Sequence, residues 1–106
     1  MSEGLDRLFA TIAARKSADP AQSYTAKLLA AGVEKCARKF GEEATEAVIA
    51  AIKQDKTELA KESADVLYHL AVLWTASGIT PEDVYAVLKA REAMSGLEEK
   101  ASRPKS

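Results

Sequence analysis

Two groups of carboxylates mark this chain: Glu42, Glu43 and Glu46, then Glu62 and Asp65. Helical positions three or four apart share a face, so each group presents acids side by side if its segment is helical. Between them Lys53-Gln54-Asp55-Lys56 reads as a tight turn, which predicts two antiparallel helices that bring the acids together. Converging carboxylates repel one another unless a hard cation sits among them, and Mg²⁺, with its oxygen coordination, is the natural partner.

A helical wheel orders these residues further. On a helix from Val33 to about Lys53, the residues Val33, Ala37, Phe40, Ala44, Val48 and Ala51 form one apolar stripe. Glu43 lies at its edge near Cys36, with Glu46 and Lys39 next and Glu42 and Lys35 further round. On the following helix Leu59, Ser63, Val66, Leu70, Leu73 and Ser77 mark the expected buried stripe. Glu62 borders it beside His69, with Glu58 and Asp65 just beyond. Glu43, Glu46, Glu62 and Asp65 thus all edge apolar surface, where a cation is held more strongly by a given set of charges. The bland alternative is a solvated flank, with Lys39–Glu43 and Arg38–Glu42 each adding ~0.2–0.5 kcal/mol of helix stability. On the residues alone the two stand about level, because helices needing only solubility would more naturally mix signs at facing positions.

Lys35 and Lys39 lie one turn apart on the side of Glu43 and Glu46. Cations followed by carboxylates along one face suit a metal-bound polyphosphate, although an ordinary ion-paired surface would look the same. Arg15 and Lys16, before the Asp19-Pro20 loop, are weaker candidates for phosphate contacts. His69 follows Asp65 by one turn and reads first as a packed residue, since Mg²⁺ prefers oxygen; at most it supports a ligand or touches substrate. Cys36 reads as an inert core thiol and Trp74 as core or subunit interface. Ser23-Tyr24-Thr25 opens a helix, where capping suffices as an explanation and anion binding is the alternative.

The elements that position these residues are all helical in their apolar spacing. A first helix is expected from about Gly4 to Lys16, a loop over Ser17–Gln22, and a short helix capped by Ser23 and running to Ala30 or Ala31. Gly32 separates it from the long helix. The next is expected over Thr57–Ser77, with Thr57 as an alternative N-cap and Gly78 as the stop. Thr80-Pro81-Glu82-Asp83 is a strong helix start, with acids in the first turn, for a last helix that frays after about Met94. Residues 1–94 then form one all-α domain, an antiparallel bundle of four to five helices, and residues 95–106 a polar, mobile tail.

With 47% apolar but only 6% aromatic residues, the core is expected to be thin and to be completed by a homodimer or higher homo-oligomer. A net charge of −1 argues against nucleic-acid or membrane partners through any global basic field. One cysteine and a start without a signal-like run point to a cytoplasmic protein.

Beyond this reading, Ser23-Tyr24-Thr25, Leu28-Leu29, Gly32, Lys35 and Lys39-Phe40-Gly41-Glu42-Glu43-Ala44-Thr45-Glu46, continued by Glu62-Ser63-Ala64-Asp65-Val66-Leu67-Tyr68-His69-Leu70, resemble the phosphoribosyl-ATP pyrophosphohydrolases of histidine biosynthesis. The likeness covers roughly Leu5 to Arg91. The acidic pattern alone is similar to the wider MazG-type all-α nucleotide pyrophosphohydrolases; the Ser-Tyr-Thr segment and the Tyr68-His69 context narrow it, and the form resembled is the monofunctional one. The resemblance implies hydrolysis of 1-(5-phosphoribosyl)-ATP to the AMP compound and pyrophosphate, with Mg²⁺. It implies Glu43, Glu46, Glu62 and Asp65 as metal ligands, and leaves Glu42 open as base, water-orienting group or further ligand. Glu42 and Glu46 are the candidate catalytic acids, Lys35 and Lys39 the candidate phosphate contacts, and Tyr24, Thr25, His69 and Arg15 possible substrate or supporting residues. The alternatives are a housecleaning enzyme of the same superfamily acting on (d)NTPs, and a non-catalytic helical dimerisation module.

Overall fold

A computed structural model of the chain describes residues 3–92, and every regular element among them is helical. α1 spans Glu3–Ala14 and ends in a 3-10 turn over Arg15–Ser17; α2 is Tyr24–Ala31, α3 Val33–Ile52, α4 Lys56–Ser77 and α5 Pro81–Glu92. The expected fraying past Met94 and the expected tail over 95–106 lie outside the described residues.

Each boundary has a local cause. Ser23 caps α2 by accepting from the Ala26 amide at 3.1 Å. Thr80 and Asp83 cap α5 reciprocally: the Asp83 amide donates to Thr80 Oγ1 and the Thr80 amide to Asp83 Oδ2, at 3.3 and 2.9 Å. Two helices end in the same six-residue hydrogen-bonded motif. At the end of α4, Gly78 takes φ 76° while the Ile79 amide reaches back to the Trp74 carbonyl. At the end of α3 the same left-handed position is held by Gln54 at φ 59°, with Asp55 reaching back to Ala50. Asp55 then starts α4 at once, its Oδ1 accepting from the Glu58 amide at 3.0 Å, so Asp55 and not Thr57 is the N-cap. Gly32, at φ 98° and ψ 173°, turns the chain between α2 and α3 in a region open essentially to glycine alone.

The antiparallel α3–α4 pair is the most extensive packing in the molecule, with α1 and α2 laid against it. The core joins Ile12 of α1, Leu28 of α2, Cys36 of α3 and Ala71 and Val72 of α4. Phe9 stacks on Trp74 with ring centres 5.0 Å apart, which ties α1 to α4. Thr25 and Tyr68 hydroxyls meet at 2.6 Å, and the Cys36 thiol donates to the Leu28 carbonyl at 3.3 Å; together these pin α2 to the hairpin. α5 buries no residue and is held in part by Tyr85 Oη donating to Asp6 Oδ1 at 3.3 Å. No described helix is long and apolar enough to cross a membrane.

The expected stripes are turned by about one residue, or ~100°. On α3 the line facing the bundle is Cys36, Phe40, Glu43, Ala47 and Ala50, while Val33, Ala37, Val48 and Ala51 are exposed. On α4 it is Glu62, Asp65, Val66, His69, Val72 and Ala76; Ser63 and Ser77, expected inside, are exposed. Both helices are apolar on more than one side, so spacing alone did not select the face used within the chain. Glu43, Glu62 and Asp65, expected at the edge of the buried surface, are therefore on it, while Glu46, expected with them, is exposed.

Candidate active site

Two turns of α3 and two of α4 face each other across the hairpin, and they carry the acids. Glu43, Glu62 and Asp65 each offer a carboxylate oxygen within 4.8 Å of the others. Glu62 is 6% exposed, and its Oε2 is buried with no hydrogen-bond partner. A buried carboxylate oxygen without a donor is costly, and two flanking acids make it more so. Its carboxyl is accordingly pushed up to about 7, by burial first, then by the charge of Glu46 and the carboxyls of Glu58 and Glu43. An all-oxygen donor set that includes a buried carboxylate with an orphaned oxygen fits a hard divalent cation such as Mg²⁺.

Glu46 does not join that trio. It is exposed and lines, with Glu58, Glu62 and Lys53, a cavity of about 450 Å³ beside the cluster. Glu42 is exposed and accepts from Lys39 Nζ at 3.1 Å. That bond holds the Glu42 carboxyl below its usual range and raises Lys39, so Lys39 pairs with Glu42 and not, as the helical spacing also allowed, with Glu43. Glu58, which the helical wheel put next to Asp65 but which was not among the candidate ligands, also lines this cavity.

On the other side of Lys39 a cleft of about 440 Å³ opens between α2 and α3, lined by Tyr24, Lys27, Lys35, Arg38 and Lys39 over Leu28 and Ala31. Lys35 and Lys39 are thus together, and Tyr24, 56% exposed, stands at the rim. Lys27 and Arg38 were not singled out from the sequence, because Lys27 is brought to α3 only by the turn at Gly32. Thr25 is engaged with Tyr68. His69 is buried against Tyr68, ring centres 4.9 Å apart, and burial lowers its pKa, as for a packed imidazole. Arg15 sits in the 3-10 turn and lines neither cavity. Burial pushes the Cys36 thiol up, so it stays protonated and unreactive.

Known proteins of similar sequence carry one name in common. Phosphoribosyl-ATP pyrophosphatases from Cereibacter sphaeroides and Paracoccus denitrificans are each 61% identical to the chain, covering 93% and 94% of it and 96% and 93% of their own lengths. That of Parvibaculum lavamentivorans is 62% identical over 93% of the chain and 91% of its own length. The model of the phosphoribosyl-ATP pyrophosphohydrolase family matches residues 5–92, which include both carboxylate groups and the basic cleft, and the chain belongs to that family.

Proposed function

We infer that this protein hydrolyses 1-(5-phosphoribosyl)-ATP to 1-(5-phosphoribosyl)-AMP and pyrophosphate, the second step of histidine biosynthesis. Family membership over residues 5–92 supports the reaction, and the observation that carries the chemistry is the carboxylate trio around the orphaned Glu62 oxygen. Glu43, Glu62 and Asp65 would hold Mg²⁺, with Glu46 beside them at the cavity. When bound, such an ion supplies positive charge to the phosphate oxygens and makes nearby water more acidic.

The rest falls to side chains. Water attacks at the α–β phosphoanhydride; its oxygen bonds to the α phosphorus, the bond to the bridging oxygen breaks, and pyrophosphate leaves. Glu46, exposed beside the cluster, takes the proton that water loses. Lys39, steered by Glu42 at 3.1 Å, offsets charge gathering on the leaving pyrophosphate, and Lys35 binds substrate phosphate one turn away. Glu42 on this reading positions Lys39 and does not itself act as base. His69 and Thr25 support the site from behind, through Tyr68.

The protein acts in the cytoplasm as a homodimer or larger homo-oligomer. The support is a core whose buried apolar members include three alanines, Ala26, Ala50 and Ala71, beside an α3 flank that leaves Val33, Val48, Ile49 and Ile52 exposed. The decisive experiment is a substrate panel read by pyrophosphate release, with and without Mg²⁺. Phosphoribosyl-ATP should be turned over far faster than ATP, dUTP or dCTP, and only with the metal. A preference for common nucleoside triphosphates would move the protein to a housecleaning role, and no hydrolysis at all would leave a dimerisation module.

A further inference from the structure

The basic cleft holds more cations than the pyrophosphate chemistry uses. Lys27 of α2 faces Lys35, Arg38 and Lys39 of α3 across it, four cations in a chain whose net charge is −1. Among the described residues only Lys39 of the four is ion-paired, to Glu42. Glu42 also attracts Lys35 and Arg38, but one carboxylate does not offset four cations, and a bound anion relieves the remainder. The floor is apolar, with Leu28 buried, and Tyr24 lies at the rim, so the volume suits an anion carried on a sugar. From Glu43 back to Lys35 the helix rises about 12 Å at 1.5 Å per residue, which sets the far end of the cleft well apart from the carboxylates.

Phosphoribosyl-ATP has a second anionic end. Its 5-phosphate is attached through ribose to the adenine ring, away from the triphosphate, and a common nucleoside triphosphate lacks it. We propose that the end of the α2–α3 cleft away from Lys39, at Lys27, Lys35 and Arg38, is a phosphate-monoester subsite for that phosphoribosyl group, with Lys27 and Arg38 as residues that set substrate specificity. This rests on the substrate reading above. Gly32 is what brings the halves together: its backbone turn sets α2 against α3, and the Cys36–Leu28 hydrogen bond locks the pair just beneath Lys27. Charge-assisted contacts to a phosphate are also the kind that separate substrates with and without it.

The test compares wild type with Lys27→Ala and Arg38→Gln, both at exposed positions where folding should be unaffected, as unchanged melting would verify. Two substrates are used, phosphoribosyl-ATP and its analogue lacking the 5-phosphate, and two inhibitors, ribose 5-phosphate and pyrophosphate. The wild-type preference for the phosphorylated substrate should fall about tenfold or more in each variant, mainly through KM, with Arg38→Lys restoring part of it. Inhibition by ribose 5-phosphate should weaken in parallel, and inhibition by pyrophosphate should not. Weakened pyrophosphate inhibition with the preference intact would assign the cleft to the leaving group and overturn the proposal, as would no change in any measurement. Failure of the wild type to hydrolyse phosphoribosyl-ATP would instead sink the substrate reading on which the proposal rests.

Discussion

Glu62 is a residue whose surroundings suit its ionised form only when a cation is present. Its carboxyl titrates at about 7 in the fold, against 4.5 when solvated. Without metal, the folded protein therefore keeps a proton that the unfolded chain gives up. The stability this contributes is fully present below about pH 4.5 and is lost as pH climbs through about 7. Thermal melts in chelator across that window should show a falling midpoint for wild type and a flatter, higher one for Glu62→Gln; parallel curves would remove Glu62 as the cause. Glu46 differs in being exposed, so Glu46→Gln should keep the fold, with a melting temperature unchanged or raised as repulsion on Glu62 falls, while turnover drops by about 10²–10⁴-fold, as expected for loss of a general base. Steady-state rates near those of wild type would take Glu46 out of the chemistry. These two acids also mark how far the sequence could be read. Their type, spacing and convergence across a hairpin were legible. Their division of labour was not, because it depends on which acid the α3–α4 contact buries.

At the scale of elements, the boundaries written in local chemistry were the legible ones. Ser23, Gly78 and Thr80 with Asp83 satisfy backbone groups within a few residues of themselves, and short-range sequence is enough to see that. The α3 stop was not legible, since glutamine gives no signal for a left-handed residue. That conformation costs an ordinary residue about 1–2 kcal/mol, and glycine escapes it at an entropic cost of roughly 0.5–1 kcal/mol. Gln54→Gly should therefore stabilise the protein by about 0.5–1 kcal/mol, seen as a higher calorimetric midpoint with activity retained. A lower midpoint would mean that the Gln54 side chain contributes more than its backbone costs. The misread stripes have a related cause. Alanine-rich helices with valine and isoleucine on several sides satisfy helical periodicity in more than one phase, and only tertiary contacts choose between them.

In the whole molecule, the flank of α3 that the bundle leaves uncovered is where the proposed oligomer can be tested. Val48 is 56% exposed and lies on the stripe read from the sequence as buried. Val48→Asp should lower the solution mass measured by light scattering while leaving helical circular dichroism intact, because within one chain the side chain is already in water. An unchanged mass would remove this flank as a subunit contact. The hairpin also has a kinetic consequence. Glu43, Glu62 and Asp65 belong to two helices joined by a tight turn, so their meeting requires only a short loop closure and none of α1, α2 or α5. Contacts this local form early on a folding path. Mg²⁺ added during refolding should then quicken the folding limb of the denaturant chevron, not only slow the unfolding limb. An effect confined to unfolding would mean that the carboxylates come together last, after the rest of the molecule has closed around them.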